Sequence, residues 1–549
     1  MSPELDEAVA RVAAKKDAWL AVTIAERIGY LKKCLAGLVA VAPGWVDDIC
    51  RIKGIAPGDV LEGEEWIAGP WTTIRNVQLL IHALEHGGHP PVPSLTKRRE
   101  GQVVARVFPR TLQDRVLFTG MRADVWIEPG KEPTQGAVYR TPPTEGKVSL
   151  VLGGGNVSSI PPMDVIYKLF VESEVVVLKM NPVNAAFGPR LEQAFACLIA
   201  DGYLAVAYGG ADVGAALATD SRVDTLHVTG SDRTYDAIVW GSDPDERARR
   251  KAEGKPLNAR RFSAELGCVT PVLVVPGPWS AADMEFQARH VAGMVAQNAS
   301  FNCNAAKVLI TARGWLQRPT FLRMVEEALA KAPPRKAYYP GAEDRYAKFL
   351  EAYPRAKKLG KEGEGIVPWT LIPDVAANAN EYALRNEAFC GVLAEVSIDA
   401  SDARDFLAKA VPFVNEAVWG TLSACVLVHP TTVEAFEAEV DQAIADLRYG
   451  GIGVNAWPAV LYGLGVTSWG AYPGHVPEDI RSGVGVVHNT YLFDHPQKSV
   501  VYAPFRIRPK PPWFPDHKSL ADVGKKLAEL EAAPTWGKVF GVARAAMRG

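Results

Sequence analysis

KVSLVLGGGNVSSIPPMDVIYKLFVESEVVVLKMNP (147–182) decides the fold. VSLVLGG (148–154) is a short apolar run closed by glycines, which predicts a buried strand. Gly155 and Asn156 follow. A helix is predicted from Pro161 or Pro162, because proline suits the first helical turn. EVVVLKM (174–180) is the next strand. Downstream the pattern repeats: helix RLEQAFACLIADG (190–202), strand LAVAYGG (204–210), helix VGAALAT (213–219), strand TLHVTGS (225–231), helix TYDAIVWG (234–241). Strands alternating with helices at this spacing predict βαβ units and a parallel sheet.

A second α/β block lies downstream. PVLVVPG (271–277), KVLIT (307–311), VLAEVSI (392–398) and CVLVHP (425–430) are predicted strands, and MEFQARHVAGMVAQ (284–297) a long helix. Residues 1–50 carry apolar positions at three- and four-residue steps and predict helices. The stretch 88–118 (HPPVPSLTKRRE and onward) is Pro-rich and mixed, a long connection or an elaboration. ADVWIEP and GAVYR, within 119–147, predict two strands of a hairpin-like excursion; VGVVHNTYLF and KSVVYAPFR, within 484–507, predict two more. Ser519 is placed to N-cap a last helix, LADVGKKLAELEAA.

Composition bounds the function. The chain has 549 residues, 48% hydrophobic and 22% charged, which suits a soluble globular protein of several structural units with a sizeable core. A formal net charge of −2 argues against a nucleic-acid surface. Seven scattered cysteines fit no disulfide framework, and none has zinc-ligand spacing with a second Cys or His, so no metal is expected. The charged N-terminus has no apolar signal core, and no apolar run is long enough to span a membrane; a cytoplasmic location is the expectation. Two basic runs, 97–99 and 247–261, read as solvated surface, with the second also able to hold an anionic cofactor group if the fold brings it near.

Cys303 stands apart from the other cysteines. Cys34, Cys50 and Cys197 lie on apolar helix faces, where a thiol packs as a small hydrophobe. Cys303 sits in NASFNCNAAKVLIT (298–311), a polar turn with Asn298, Ser300, Asn302 and Asn304 around it, a setting for a nucleophile whose oxyanion Asn302 and nearby amides hold. The other polar candidates fall at strand ends: Asn156, Lys179, Gly209-Gly210, Gly230-Ser231. Each precedes a helix, and helix N-termini behind glycines suit a pyrophosphate. There is no GxGxxG fingerprint.

The ordered set resembles the aldehyde dehydrogenase superfamily, from about residue 148 to 420, as a divergent branch. The resemblance implies that Asn156, in GGGNVSS, helps hold a substrate oxyanion. It implies that Lys179, in LKMNP, contacts the cofactor's adenosine ribose, that Asn181 and Gly210 bind the cofactor, and that Gly230 and Ser231 face its pyrophosphate. AELGC places the general base at Glu265, the catalytic thiol falls on Cys303, 38 residues later, and NEAFCGV puts the carboxylate for the nicotinamide ribose at Glu387. Three positions depart from the family: Cys268 replaces its second Gly, Cys390-Gly391 its Gly-Pro, and Asn302 its commoner Gln.

The same resemblance implies an α/β fold with two parallel-sheet domains and a small bridging element. Residues 1–118 and 148–266 would form the cofactor-binding domain with its N-terminal helices, and 267–470 the catalytic domain. Segments 119–147 and 484–507 would be bridging or oligomerisation strands, and 508–549 a helical tail. The implied activity is NAD- or NADP-dependent oxidation of an aldehyde to a carboxylic acid through a cysteine thiohemiacetal and thioester. The alternatives are a coenzyme A-dependent acyl-CoA reductase, whose members generally lack the base, and a silent scaffold, which would be expected to lose Cys303 or Glu265. Trp419, Trp457, Trp469 and Tyr472 fall where the family builds its substrate funnel, a preference for an apolar or aromatic aldehyde. The family forms homodimers or homotetramers.

Overall fold

The computed structural model describes residues 2–549. Five parallel strands lie in the order Arg261–Leu266, Thr225–Gly230, Val148–Leu152, Val175–Lys179, Leu204–Ala207, with Gly483–Val484 antiparallel at one edge. The chain starts at Val148–Leu152 in the middle, winds to one side, then returns to wind to the other. The crevice between Val148–Leu152 and Thr225–Gly230 is therefore a topological switch point, where open sheets bind ligands. The strands read as apolar runs because helices cover both faces. Helix Ile24–Lys53 supplies much of one cover. Thr23 and Glu26 cap its start reciprocally, left-handed Gly54 ends it, and Leu31, Cys34, Leu38 and Trp45 are fully buried. The helix expected over 190–202 is broken at Phe195 into two pieces.

A second sheet has eleven strands. Its parallel heart runs Pro496–Tyr502, Gly451–Val454, Ser423–Leu427, Thr270–Val274, Ala306–Ala312, Val392–Ile398, Thr370–Val375. Arg122–Ile127, Val103–Phe108 and Ser94–Lys97 continue it antiparallel beyond Pro496–Tyr502. The stretch 88–118 is an elaboration, for it supplies two of these strands. Two expectations need correction here. GAVYR is no strand: Gly136 takes φ +67° and Ala137–Arg140 closes one helical turn. Ser519 makes no side-chain cap; its hydroxyl donates instead to Ala545 O, tying the last two helices together. Pro496–Tyr502 pairs with Gly451–Val454 of the same chain, Ser499 opposite Gly451, so the outer strands extend the chain's own sheet.

The tail folds back onto the body. Leu520–Ala532 crosses Glu62–Trp66 so closely that a Cβ on Gly63 would stand 2.2 Å from Leu520 backbone, and one on Gly524 2.8 Å from Gly63 O. Trp536–Ala546 packs beside it through Val539, Val542 and Ala545. Between Glu62–Trp66 and Thr72–Glu85 the helix widens to a π turn, Ile67–Trp71. Pro70 has no N–H to give there, and the Thr72 and Thr73 hydroxyls donate to Ile67 O and Gly69 O. Among the described residues no helix is long and apolar enough to cross a membrane, and no group of three or more His, Cys, Asp or Glu is placed to hold a metal ion.

Candidate active site

Two cavities meet at Cys303. The larger, about 1690 Å³, is a cleft along the carboxyl ends of the five parallel strands. The smaller, about 230 Å³, leaves the other side of the thiol toward the C-terminal tail. Ile160, Thr229, Glu265 and Cys303 line both.

The loop carrying Cys303 is strained and then held. Asn298, Ala299 and Ser300 take φ of 53°, 54° and 69°, three non-glycine residues in the left-handed region, which is sparsely populated and costs of order 1–3 kcal/mol each. Buried polar groups fix the turn. Asn298 Oδ1 accepts from Lys53 Nζ at 2.8 Å, its backbone N–H donates to Glu64 Oε2, and its Nδ2 reaches Asn156 O and Asn302 Oδ1 at 3.0 Å. Lys53 pairs with Glu65 at 2.9 Å, and Arg335 binds Glu64 through both terminal nitrogens. All four charged side chains are almost wholly buried. Lys53→Met should therefore cost about 3–5 kcal/mol of stability in urea unfolding, since it strands the Glu65 carboxylate. A loss under about 1 kcal/mol would show that the pair does not support the turn.

Glu265 and Cys303 face each other. Trp469 Nε1 donates to Glu265 Oε1 at 3.0 Å. Burial pushes the Glu265 pKa up to about 7, against the hydrogen bonds from Trp469 and the thiol. Burial also pushes the Cys303 thiol well above its ordinary range, and the Glu265 charge adds to this. A thiolate stabilised at rest is thus not what the surroundings favour; the thiol keeps its proton with a base of pKa near neutrality beside it. Lys307 works the other way. Its buried ammonium donates to Asn302 O and Cys303 O at 3.1 Å and pairs with Glu387 at 3.1 Å.

Asn156 lines the same cleft as the thiol, its Nδ2 donating to Phe301 O at 2.9 Å. Asn302 does not join it: its amide turns away to Gln297, which corrects the expectation of an oxyanion donor there. Lys179, Asn181, Gly210, Gly230, Ser231 and Glu387 all line the same cleft. Burial lowers the Lys179 pKa, partly offset by Asp212. Asn181 accepts from Val183 N at 3.0 Å and crowds Gly155, where a Cβ would stand 2.6 Å away. Gly210 precedes helix Ala211–Thr219, and Ser231 N-caps Asp232–Val239, so two helix N-termini open onto the cleft. Glu387 accepts from Cys268 N at 3.3 Å, and Gly267 must lack a side chain because a Cβ would fall 1.8 Å from its Oε2.

Of the basic segment 247–261, the helical part is solvated: Pro244–Glu253 buries no residue, and Arg249 and Arg250 pair with Glu246. Only its end, Leu257–Arg260, reaches the cleft. The aromatic residues divide. Trp457 and Trp469 line the small cavity, Trp419 lines the cleft, and Tyr472 lines neither, accepting instead from Gln497 Nε2. Sequence reasoning missed Lys307, Lys53, Glu64 and Arg335. A lysine opening the apolar strand KVLIT was the one visible signal, since buried lysines need a partner.

No family model matches the chain, and no curated protein does. Solved structures do. An NAD-dependent aldehyde dehydrogenase from Sinorhizobium meliloti is 19% identical with a TM-score of 0.60, covering 92% of this chain and 88% of its own. Aldehyde dehydrogenase C of Pseudomonas syringae, a cysteine-to-alanine mutant solved with NAD+ and octanal, is 15% identical at a TM-score of 0.60, with 91% and 89% covered. An NADP-dependent glyceraldehyde-3-phosphate dehydrogenase from Bacillus halodurans, solved with NADP, is 16% identical at 0.58, with 91% and 90% covered. At these identities the likeness establishes architecture: the chain has the aldehyde dehydrogenase fold.

Proposed function

We propose that this chain, with the aldehyde dehydrogenase fold as the premise, oxidises an aldehyde to a carboxylic acid with NAD or NADP, using Cys303 as nucleophile and Glu265 as base. The observation that carries the reading is the meeting of a thiol and a near-neutral carboxylate where a cleft of dinucleotide size joins an apolar cavity. The cleft suits the cofactor: two helix N-termini for the pyrophosphate, Lys179 and Asn181 beyond them, and Glu387 over the side-chain-free Gly267. Bound there, the nicotinamide supplies the acceptor for hydride.

The chain's own residues do the rest. Glu265 takes the thiol proton as sulfur attacks the carbonyl carbon, which answers the raised thiol pKa without a resting thiolate. The oxyanion finds the Asn156 amide and the Cys303 backbone N–H; losing one such donor typically costs about 10²–10³ in rate. After oxidation the carbonyl is a thioester on Cys303. Glu265, its first proton passed to solvent, accepts a proton from water as it adds to that carbon, and returns it to the sulfur as the thiol leaves and the acid is released. Lys307 holds the Asn302 and Cys303 carbonyls, keeping the loop and its N–H aimed. A panel of aldehydes followed by NADH absorbance tests the reading, and no NADH from any of them would defeat it.

Both cofactors should be accepted. The position three after Lys179, where an acid would repel a 2′-phosphate, is Pro182. The acid that does approach Lys179 is Asp212. A kcat/KM preference for NAD above about 10³, a gap of roughly 4 kcal/mol, would contradict this, and Asp212→Ala should shift the ratio toward NADP.

A further inference from the structure

The smaller cavity has a wall that the catalytic sheet does not supply. From Cys303 it passes Trp457 and the π turn at Ile67 and Trp71, then runs along Val523 and Leu527 of the tail to Val542. Exposed Thr119 and Arg508 are among its lining residues. Polar groups stand at the end near the thiol, with Asp164, Thr229 and His488, and Glu64, Lys510 and His517 also reach the lining, but most of the wall is aliphatic and aromatic. The widening at Ile67–Trp71 and the tight Gly63–Gly524 crossing bring the tail helix close enough to close the space.

Size and shape narrow the occupant. Leu520, Val523 and Leu527 all line the cavity, so it follows the helix for about 10 Å at ~1.5 Å per residue. A volume of about 230 Å³ spread along that length is a narrow tube. An apolar cavity of ~150 Å³ holds benzene, six carbons; by proportion this one holds about nine. We propose that the tube receives the unbranched apolar chain of a medium-chain aldehyde, about nine carbons long, with the C-terminal segment 508–549 as its outer wall and length gauge. The proposal rests on the aldehyde-oxidising reading and gives it a substrate class.

The test is kcat/KM for linear aldehydes of three to fourteen carbons with saturating cofactor. Each methylene added up to about nine carbons should raise it about threefold to fourfold, the transfer gain of a buried CH₂, and longer chains should gain nothing further. Ala546→Trp, which puts an indole into the outer wall, should lower the nonanal-to-propanal ratio at least tenfold. Val542→Ala, which enlarges the wall, should move the optimum to longer chains. A folding defect lowers all lengths together and leaves the ratio alone. A flat series, or wall variants that leave its profile unchanged, overturns the proposal. A separate readout needs no turnover: nonanamide, but not propanamide, should quench the fluorescence of Trp71, Trp457 and Trp513 in Cys303→Ala protein. Quenching with no oxidation of any aldehyde would keep the tube and discard the oxidation; no quenching would discard the tube.

Discussion

Cys303→Ala is expected to lower aldehyde oxidation by more than about 10⁴-fold, the scale seen when a nucleophile acting as part of a unit is removed, while cofactor affinity stays near wild type. The position explains both halves. The thiol stands where the two cavities join, whereas Lys179, Asn181 and the two helix N-termini lie further along the cleft and do not depend on sulfur. No other cysteine can substitute. Cys268, Cys390 and Cys425 are buried in the core and line neither cavity, and Cys34, Cys50 and Cys197 belong to the helices of the N-terminal half. Steady-state NADH production measures the loss, and cofactor titration of the variant measures what is kept. Activity within tenfold of wild type, or activity that vanishes only with Cys268→Ala, would remove Cys303 from the mechanism.

How much of this was legible depends on which physical signal each element carries. Val148–Leu152 and Val175–Lys179 are central parallel strands, covered on both faces, so they announce themselves as unbroken apolar runs ending in Gly or a lone Lys. Ser94–Lys97 does not. It is an exposed edge strand whose four residues all face solvent, and its partner follows a Lys-Arg-Arg turn that reads as loop. GAVYR has strand composition, yet its first residue, left-handed Gly136, sets up a helical turn, and composition loses to backbone geometry. Site residues at strand ends could be read because topology puts strand ends together. The buried charges could not. Lys53, Glu64, Glu65 and Arg335 come from distant segments, Glu64 and Arg335 lying 271 residues apart, and become partners only when the loop at 298–300 needs anchoring. The tail was legible as helix and silent as to use, since the face that lines the cavity is the same apolar face any docked helix needs.

Glu265→Gln is expected to separate the two halves of the reaction. The amide keeps the shape and still meets Trp469, but it cannot take a proton from water, so the thioester accumulates. A pre-steady-state burst of NADH should approach one per active site, slowed because the thiol loses its base as well, and then turnover should fall by about 10²–10⁴, the usual worth of a positioned base. In the wild type the carboxylate must be ionised to act, and burial holds its pKa at about 7, so kcat should rise with pH through that value and flatten above it. Glu265→Gln should lose that limb. Stability gives an independent check on the same shift. A carboxyl whose pKa is raised from 4.5 to about 7 on folding favours the native state fully below 4.5, and the advantage is lost as pH climbs through 7. At pH 8 the wild type therefore carries an ionised, buried Glu265 at a cost that glutamine does not have, and Glu265→Gln should melt at the same or a higher temperature. Coenzyme A decides between hydrolysis and acyl transfer. If water resolves the thioester, coenzyme A neither speeds the wild type nor rescues the variant. Acyl-CoA as the main product, with Glu265→Gln turning over at the wild-type rate, would instead mean that the thioester is resolved by a thiol needing no base, and Glu265 would be left with a structural or proton-relay role.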